Sequence, residues 1–169
     1  MSNAIDSVKW RGLITVEKYL TDEFDEALRQ DGSLVGLRPY DVVQAENLLL
    51  TPGATAMWQK LCGQGAVTSF DGTNTYIAVG TGTAAAAAAQ TDLQGATKTR
   101  KLVDSAPVIA GAGLTVVSTF GTADANHAWE EIGIANASAA GLLLNRVVQT
   151  FGVKTAGLTW VVTGALSLA

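Results

Sequence analysis

From residue 75 onward the chain is a succession of short stretches rich in β-branched and apolar side chains, cut apart by glycine-bearing turns. Residues 75–79, 99–103, 114–120, 128–135, 142–151 and 158–168 each read as a strand. The segment Leu114-Thr-Val-Val-Ser-Thr-Phe120 shows the alternation of a half-buried one. Asp71-Gly72, Gly111-Ala-Gly113 and Ala140-Gly141 supply turn chemistry between them. Strands at this spacing, with no helices interleaved, cannot form the βαβ units of a parallel sheet. They call for antiparallel hairpins packed as a sandwich or jelly roll.

The part before residue 75 is more mixed. In residues 8–20, Val8, Trp10, Ile14 and Val16 face one way while Arg11, Thr15 and Glu17 face the other, again a half-buried strand. Residues 21–30 are acidic and suit one or two helical turns capped by Thr21 or Asp22. Asp31-Gly32 and Arg38-Pro39 flank a short apolar piece, and residues 41–50 read as extended. Thr51-Pro52-Gly53 then opens the clearest helix: Thr51 can cap, Pro52 suits the first position, and Gly63 stops it. Ala54, Met57, Trp58 and Leu61 fall on its apolar stripe. The expected architecture is mainly β: a β-sandwich or jelly-roll-like domain with one short α-helix and an N-terminal extended arm. Residues 1–46 form the arm or peripheral layer, and residues 47–169 the sandwich, with its helix near 52–62.

Composition narrows the function classes. Of 169 residues, 48% are hydrophobic and 15% charged, which excludes a disordered chain. Charge is replaced largely by small residues, with 27 Ala, 19 Thr and 18 Gly. Residues 1–50 hold nine acidic and five basic side chains and residues 51–169 six of each, so the net charge of −4 resides in the first third. A β body so poor in charge is expected to be covered by copies of itself. A pI near 4.8 without a Lys/Arg cluster argues against a nucleic-acid partner. No apolar stretch reaches the roughly 18–20 residues of a membrane helix, and the N-terminus shows no basic-then-apolar secretory signal. Cys62 is the only cysteine, so no internal disulfide is available and a reducing compartment is expected.

No catalytic, cofactor or metal set emerges from the residues. Gly80-Thr-Gly82-Thr-Ala-Ala85 matches the dinucleotide fingerprint formally. No βαβ alternation follows it, however, and Asp104 is badly placed as the ribose-binding acid, so Gly80 and Gly82 are assigned to a structural turn whose loss harms folding. His127 is the only histidine and reads as structural, since no Ser-centred elbow accompanies it. Glu130 and Glu131 are consecutive strand residues and point to opposite faces, so they cannot flank one glycosidic bond unless a bulge intervenes. One is expected in solvent and the other interfacial or salt-bridged, with Arg146 or Arg100. Asp124-Ala-Asn126 lacks the ligand count of a calcium loop, and Asp92 fits an Asx turn. The four tryptophans, Trp10, Trp58, Trp129 and Trp160, each lie in an apolar segment and read as core. The run 84–89 is all alanine and reads as a short helix or a close-packed loop. Ala86 and Ala88 are expected to permit close approach, either of a neighbouring subunit or of another part of the same chain.

Six features in order carry a resemblance: Asn47-Leu-Leu-Leu-Thr51-Pro-Gly53, Tyr76-Ile-Ala-Val-Gly80-Thr-Gly82-Thr, Thr91-Asp-Leu93, Arg100, Ala128-Trp-Glu-Glu-Ile-Gly133-Ile and Leu144-Asn-Arg146. Together, over about residues 47–168, the chain resembles small β-rich virion proteins of tailed bacteriophages, a group that includes tail-fibre or collar segments and head-decoration (cement) proteins. The resemblance implies a non-enzymatic structural part, commonly trimeric, with a glycine-rich scaffold and no cofactor. A short chain without repeats or a stalk favours a capsid decoration protein that binds across major capsid subunits, in a virion assembled in the host cytoplasm. A tail-fibre, baseplate or carbohydrate-binding receptor component is the alternative. Trp10, Ile14 and Val16 are the expected arm anchors, and deleting residues 1–20 is expected to free the protein from capsids while leaving the β domain folded.

Overall fold

A computed structural model describes residues 9–168. Ten strands and two helices follow in the order β1 (Trp10–Leu20), α1 (Thr21–Asp31), β2 (Asp41–Glu46), β3 (Leu48–Leu49), α2 (Thr51–Leu61), β4 (Tyr76–Gly80), β5 (Lys98–Leu102), β6 (Val108–Ala110), β7 (Gly113–Phe120), β8 (Ala128–Ala135), β9 (Leu143–Val153) and β10 (Leu158–Leu168). They form two five-stranded sheets, β2-β1-β10-β7-β6 and β3-β9-β8-β4-β5, here called A and B. Every paired strand is antiparallel. This is the mainly β sandwich that the strand spacing requires.

Alternation builds the core. Ile14 and Val16 of β1, Val116 and Phe120 of β7, and Trp160 and Val162 of β10 face Ile77, Val79, Trp129, Ile132 and Ile134 from sheet B. Trp129 sits between Phe120 and Trp160, edge to face with both at 4.7 Å. Such contacts add about 0.5–1.5 kcal/mol each beyond burial. The outer face of sheet A carries a smaller cluster of Tyr19, Phe24 and Val161, where α1 folds back on the sheet. The outer face of sheet B buries Leu50, Ala78, Leu93, Ala135 and Leu143.

The N-terminal segment is extended, as expected, and its strand is paired on both edges within sheet A. All eleven residues of β1 pair with β10, from Trp10 opposite Leu168 to Leu20 opposite Leu158, and its other edge pairs with β2. Residues 1–8, including the alternating Val8, lie outside the described part. At 46/47 the chain steps from sheet A, where β2 ends, to sheet B, where β3 begins. There are two helices, not one. α1 runs for 11 residues and ends at Gly32 (φ 66°), whose N–H bonds Leu28 O at 3.0 Å. Neither helix uses the expected side-chain cap. Thr21 Oγ1 meets Thr159 Oγ1 at 2.9 Å instead, and Thr51 donates its backbone N–H to Ala88 O at 2.7 Å.

Candidate functional site

Ile132 and Ile134 point into the core, so Glu131 points out of sheet B. Its side chain is nevertheless 0% exposed, because loop 81–97 lies over it. Glu131 Oε1 accepts the backbone N–H groups of Gly82 (3.0 Å) and Gly95 (2.6 Å), and Gln94 N–H reaches both oxygens at 3.0 and 2.9 Å. Arg146, also 0% exposed, donates Nε to Oε2 at 2.7 Å. The rest of its guanidinium holds the alanine run by its carbonyls, Ala84 O at 2.9 Å and Ala85 O at 3.3 Å, and bonds Gln90 Oε1 at 2.8 Å. Of the two partners the sequence allows for Glu131, Arg146 is the one used.

This centre explains the glycine motif. A Cβ on Gly80 would stand 2.7 Å from Glu131 Oε1, and one on Gly82 would overlap the same oxygen. Neither residue has positive φ. Glycine is needed there for close approach to a carboxylate, not for a left-handed turn. Ions taken from water cost several kcal/mol each, and the complete set of donors is what makes burial tolerable. With its oxygens turned to protein donors, the pair is a clamp for the loop.

The remaining chemistry-bearing residues are similarly engaged. Glu130 lies at a register irregularity of β8 between Trp129 and Glu131, so simple alternation does not set its face, and it accepts from Thr150 Oγ1 at 2.5 Å. Arg100 donates to the carbonyls of Ala137 and Ala140 and to Asp92 at 2.8 Å. Burial would raise the Asp92 carboxyl, but hydrogen bonds from Lys98 and Arg100 outweigh it and hold it below the usual range. His127 Nδ1 bonds its neighbour's carbonyl, Ala128 O, at 2.8 Å, and Nε2 lies 3.2 Å from Thr99 Oγ1. Asp104 bonds Thr119 through its N–H (3.1 Å) and hydroxyl (2.7 Å).

At Asp124-Ala-Asn126 the cation is supplied by the chain itself. The buried Lys154 Nζ donates to Gly121 O at 2.6 Å and to Asn126 Oδ1 at 3.1 Å. Asp124 binds Lys101 Nζ at 2.8 Å and Gly121 N–H at 3.0 Å. Burial lowers the Lys154 ammonium from its ordinary value, and Asp124 offsets part of that. Among the described residues no group of three or more His, Cys, Asp or Glu is arranged to hold a metal ion, and no helix is long and apolar enough to cross a membrane.

The expected interface residues separate. Ile14 and Val16 are completely buried in the core and cannot anchor an outside surface, because they lie on the inward face of a strand paired on both edges. Trp10, half-buried, does reach a surface: with Met57, Phe70, Ile109, Leu114 and Leu168 it lines an apolar groove of about 380 Å³ between α2 and the β6–β7 turn. Ala86 is half-buried and Ala88 is exposed, beside the Arg146 clamp.

Trp58, expected in the core, is 65% exposed on α2 beside the groove-lining Met57. Leu61 of the expected apolar stripe is 75% exposed and Ile109 in the groove itself 78%, while Trp129 and Trp160 are buried as expected. The reason lies in the small residues of α2. Gly53 and Ala56 are its buried positions, and a Cβ on Gly53 would come within 2.6 Å of Leu144 Cα. The helix packs by its small face, which turns Met57, Trp58 and Leu61 outward. The spacing of glycine and alanine at i, i+3 was the available signal.

Fold and site together define an antiparallel two-sheet β-sandwich whose charged side chains from Asp92 onward are engaged in internal contacts and whose one end carries an apolar groove. Comparison with protein-family models, with curated proteins and with solved structures finds no match to the chain.

Proposed function

We propose that the protein is a non-enzymatic structural subunit of a tailed-phage virion, and specifically a capsid decoration (cement) protein that binds major capsid subunits and copies of itself. One observation carries the assembly part of this reading: the apolar groove lined by Trp10, Met57, Phe70, Ile109 and Leu114 stands uncovered, and Trp58 and Leu61 are exposed on the helix that forms one of its walls. Contiguous exposed apolar surface of this kind marks a protein–protein contact. Covering one such side chain contributes about 1.5–3 kcal/mol. The assignment to a virion rests on the ordered motifs of residues 47–168. Several of these, Gly80, Gly82, Arg100, Glu131 and Arg146, belong to the internal clamps and support a scaffold role.

The test is co-sedimentation of the purified chain with phage capsids stripped of decoration. Saturable binding by the wild type, lost in Trp58→Glu, is expected. Binding that ignores the substitution, or none at all, would contradict the reading. A receptor-binding tail component is the second reading, favoured by the exposed indole of Trp58 as a stacking platform for a sugar. Glycan-array binding abolished by Trp58→Ala would select it.

A further inference from the structure

The partner of the apolar end is open under that reading, and the distribution of charge along the strand axis selects one. Trp10 pairs with Leu168 at one end of sheet A, and Leu20 with Leu158 at the other. At about 3.4 Å per residue, ten steps put these ends over 30 Å apart. The groove lies at the Trp10 end. Lys60 is the charged residue on its lining, and Lys9 and Arg11 are exposed next to it, against the single carboxylate of Glu46.

The Leu20 end has the opposite character. α1 starts there and exposes Asp22, Glu23, Asp25 and Glu26, with Arg29 already tied to Glu26 at 3.0 Å. Glu23 and Glu26 border a second, shallower groove between α1 and residues 33–37. From its rim Val35 projects 88% exposed. One end is thus apolar with a basic rim, and the other is acidic with an apolar knob.

We propose that the apolar end of one copy binds the α1 end of a second copy, head to tail. This rests on the reading of the chain as an assembly subunit and names the partner of that surface. Lys60, Lys9 and Arg11 then face the α1 carboxylates, and Val35 enters the groove toward Ile109 and Met57. Charge complementarity sets the orientation and disfavours pairing of two like ends. Because the two surfaces differ and lie too far apart to meet within one chain, the contact is heterologous. Such a contact closes into a ring or continues as a filament, depending on the rotation between copies. A closed ring of three is the trimeric form that the virion reading expects.

Sedimentation velocity of the full chain, without capsids, tests the contact. The wild type should associate as concentration rises from micromolar to millimolar. Trp58→Glu disables one end and Glu23→Lys/Glu26→Lys the other, and all three positions are exposed, so circular dichroism should show both variants folded. Each alone should lose self-association, and an equimolar mixture should give a one-to-one heterodimer and nothing larger. Val35→Asp, which leaves α1 untouched, should behave as the helix variant does. A wild type that stays monomeric to millimolar concentration overturns the proposal. So does a mixture that stays monomeric, or a helix variant that self-associates normally while Trp58→Glu does not. The capsid experiment fails or succeeds separately, since no capsid is present here.

Discussion

A carboxylate removed from water survives in a protein only if its oxygens are met by donors, and Glu131 is met by three backbone amides and Arg146. Removing either ion leaves the other charged and buried. Glu131→Gln should therefore cost about 3–5 kcal/mol in a urea unfolding experiment, as should Arg146→Met. Gly82→Ala should cost about 1–3 kcal/mol, since the new methyl must displace Glu131 or the loop above it. That variant separates two readings of the glycine motif: loss of stability with no thermal shift on adding NAD or ATP belongs to the clamp. The Glu131 partner was legible only as a choice between two arginines. Chain order alone does not say which arginine the β8–β9 pairing brings alongside. Lys154 was not legible at all, because a lone lysine after a strand carries no mark of the Gly121 carbonyl that it meets in the fold.

Strands were easier to read than their neighbours. Segments 128–135 and 158–168 coincide with β8 and β10, because alternation and flanking turns mark both ends. The three-residue β6 was missed, since Val108-Ile-Ala110 is too short to alternate and every residue in it is exposed. Harder to read was the place of the first strand within the fold. An amphipathic first strand looks the same whether it lies on a neighbour or in its own sheet, and only the long-range pairing of β1 with β10 decides. That pairing reverses the expectation for truncation. Deleting residues 1–20 should abolish the cooperative unfolding transition instead of freeing an intact β body, because it opens the middle of sheet A and strips Ile14 and Val16 from the core. Ile14→Ala alone should cost about 2–5 kcal/mol. The orientation of α2 was misread for a related reason: large apolar side chains mark a packed face only when the backbone can stand far enough away, and here it packs at glycine distance.

At the scale of the molecule, ion pairs tie the periphery to the sheets: Lys18–Asp41, Arg100–Asp92 and Lys101–Asp124, at 2.6 to 2.8 Å. The hydrogen bond from Lys18 lowers the Asp41 carboxyl. At Asp92 and Asp124 burial acts upward, but the donors prevail and lower the pKa. All three ionise more readily folded than unfolded, so their stabilisation is complete above the ordinary aspartate value of about 3.9 and is lost as pH falls through the lowered ones. The melting temperature should change little between about pH 7 and pH 5 from these groups and drop below about pH 4. The charge asymmetry visible in the sequence survives in altered form. It sets an acidic α1 against an apolar end rimmed by Lys60. The proposed role turns on whether that end is covered when the protein is at work. Electron cryo-microscopy of the particles that the virion reading assigns it to measures this directly. The account predicts copies of the sandwich on the shell with Trp58, Leu61 and Ile109 buried against protein density. Purified particles that lack the chain, or copies whose apolar end faces solvent throughout, would contradict it.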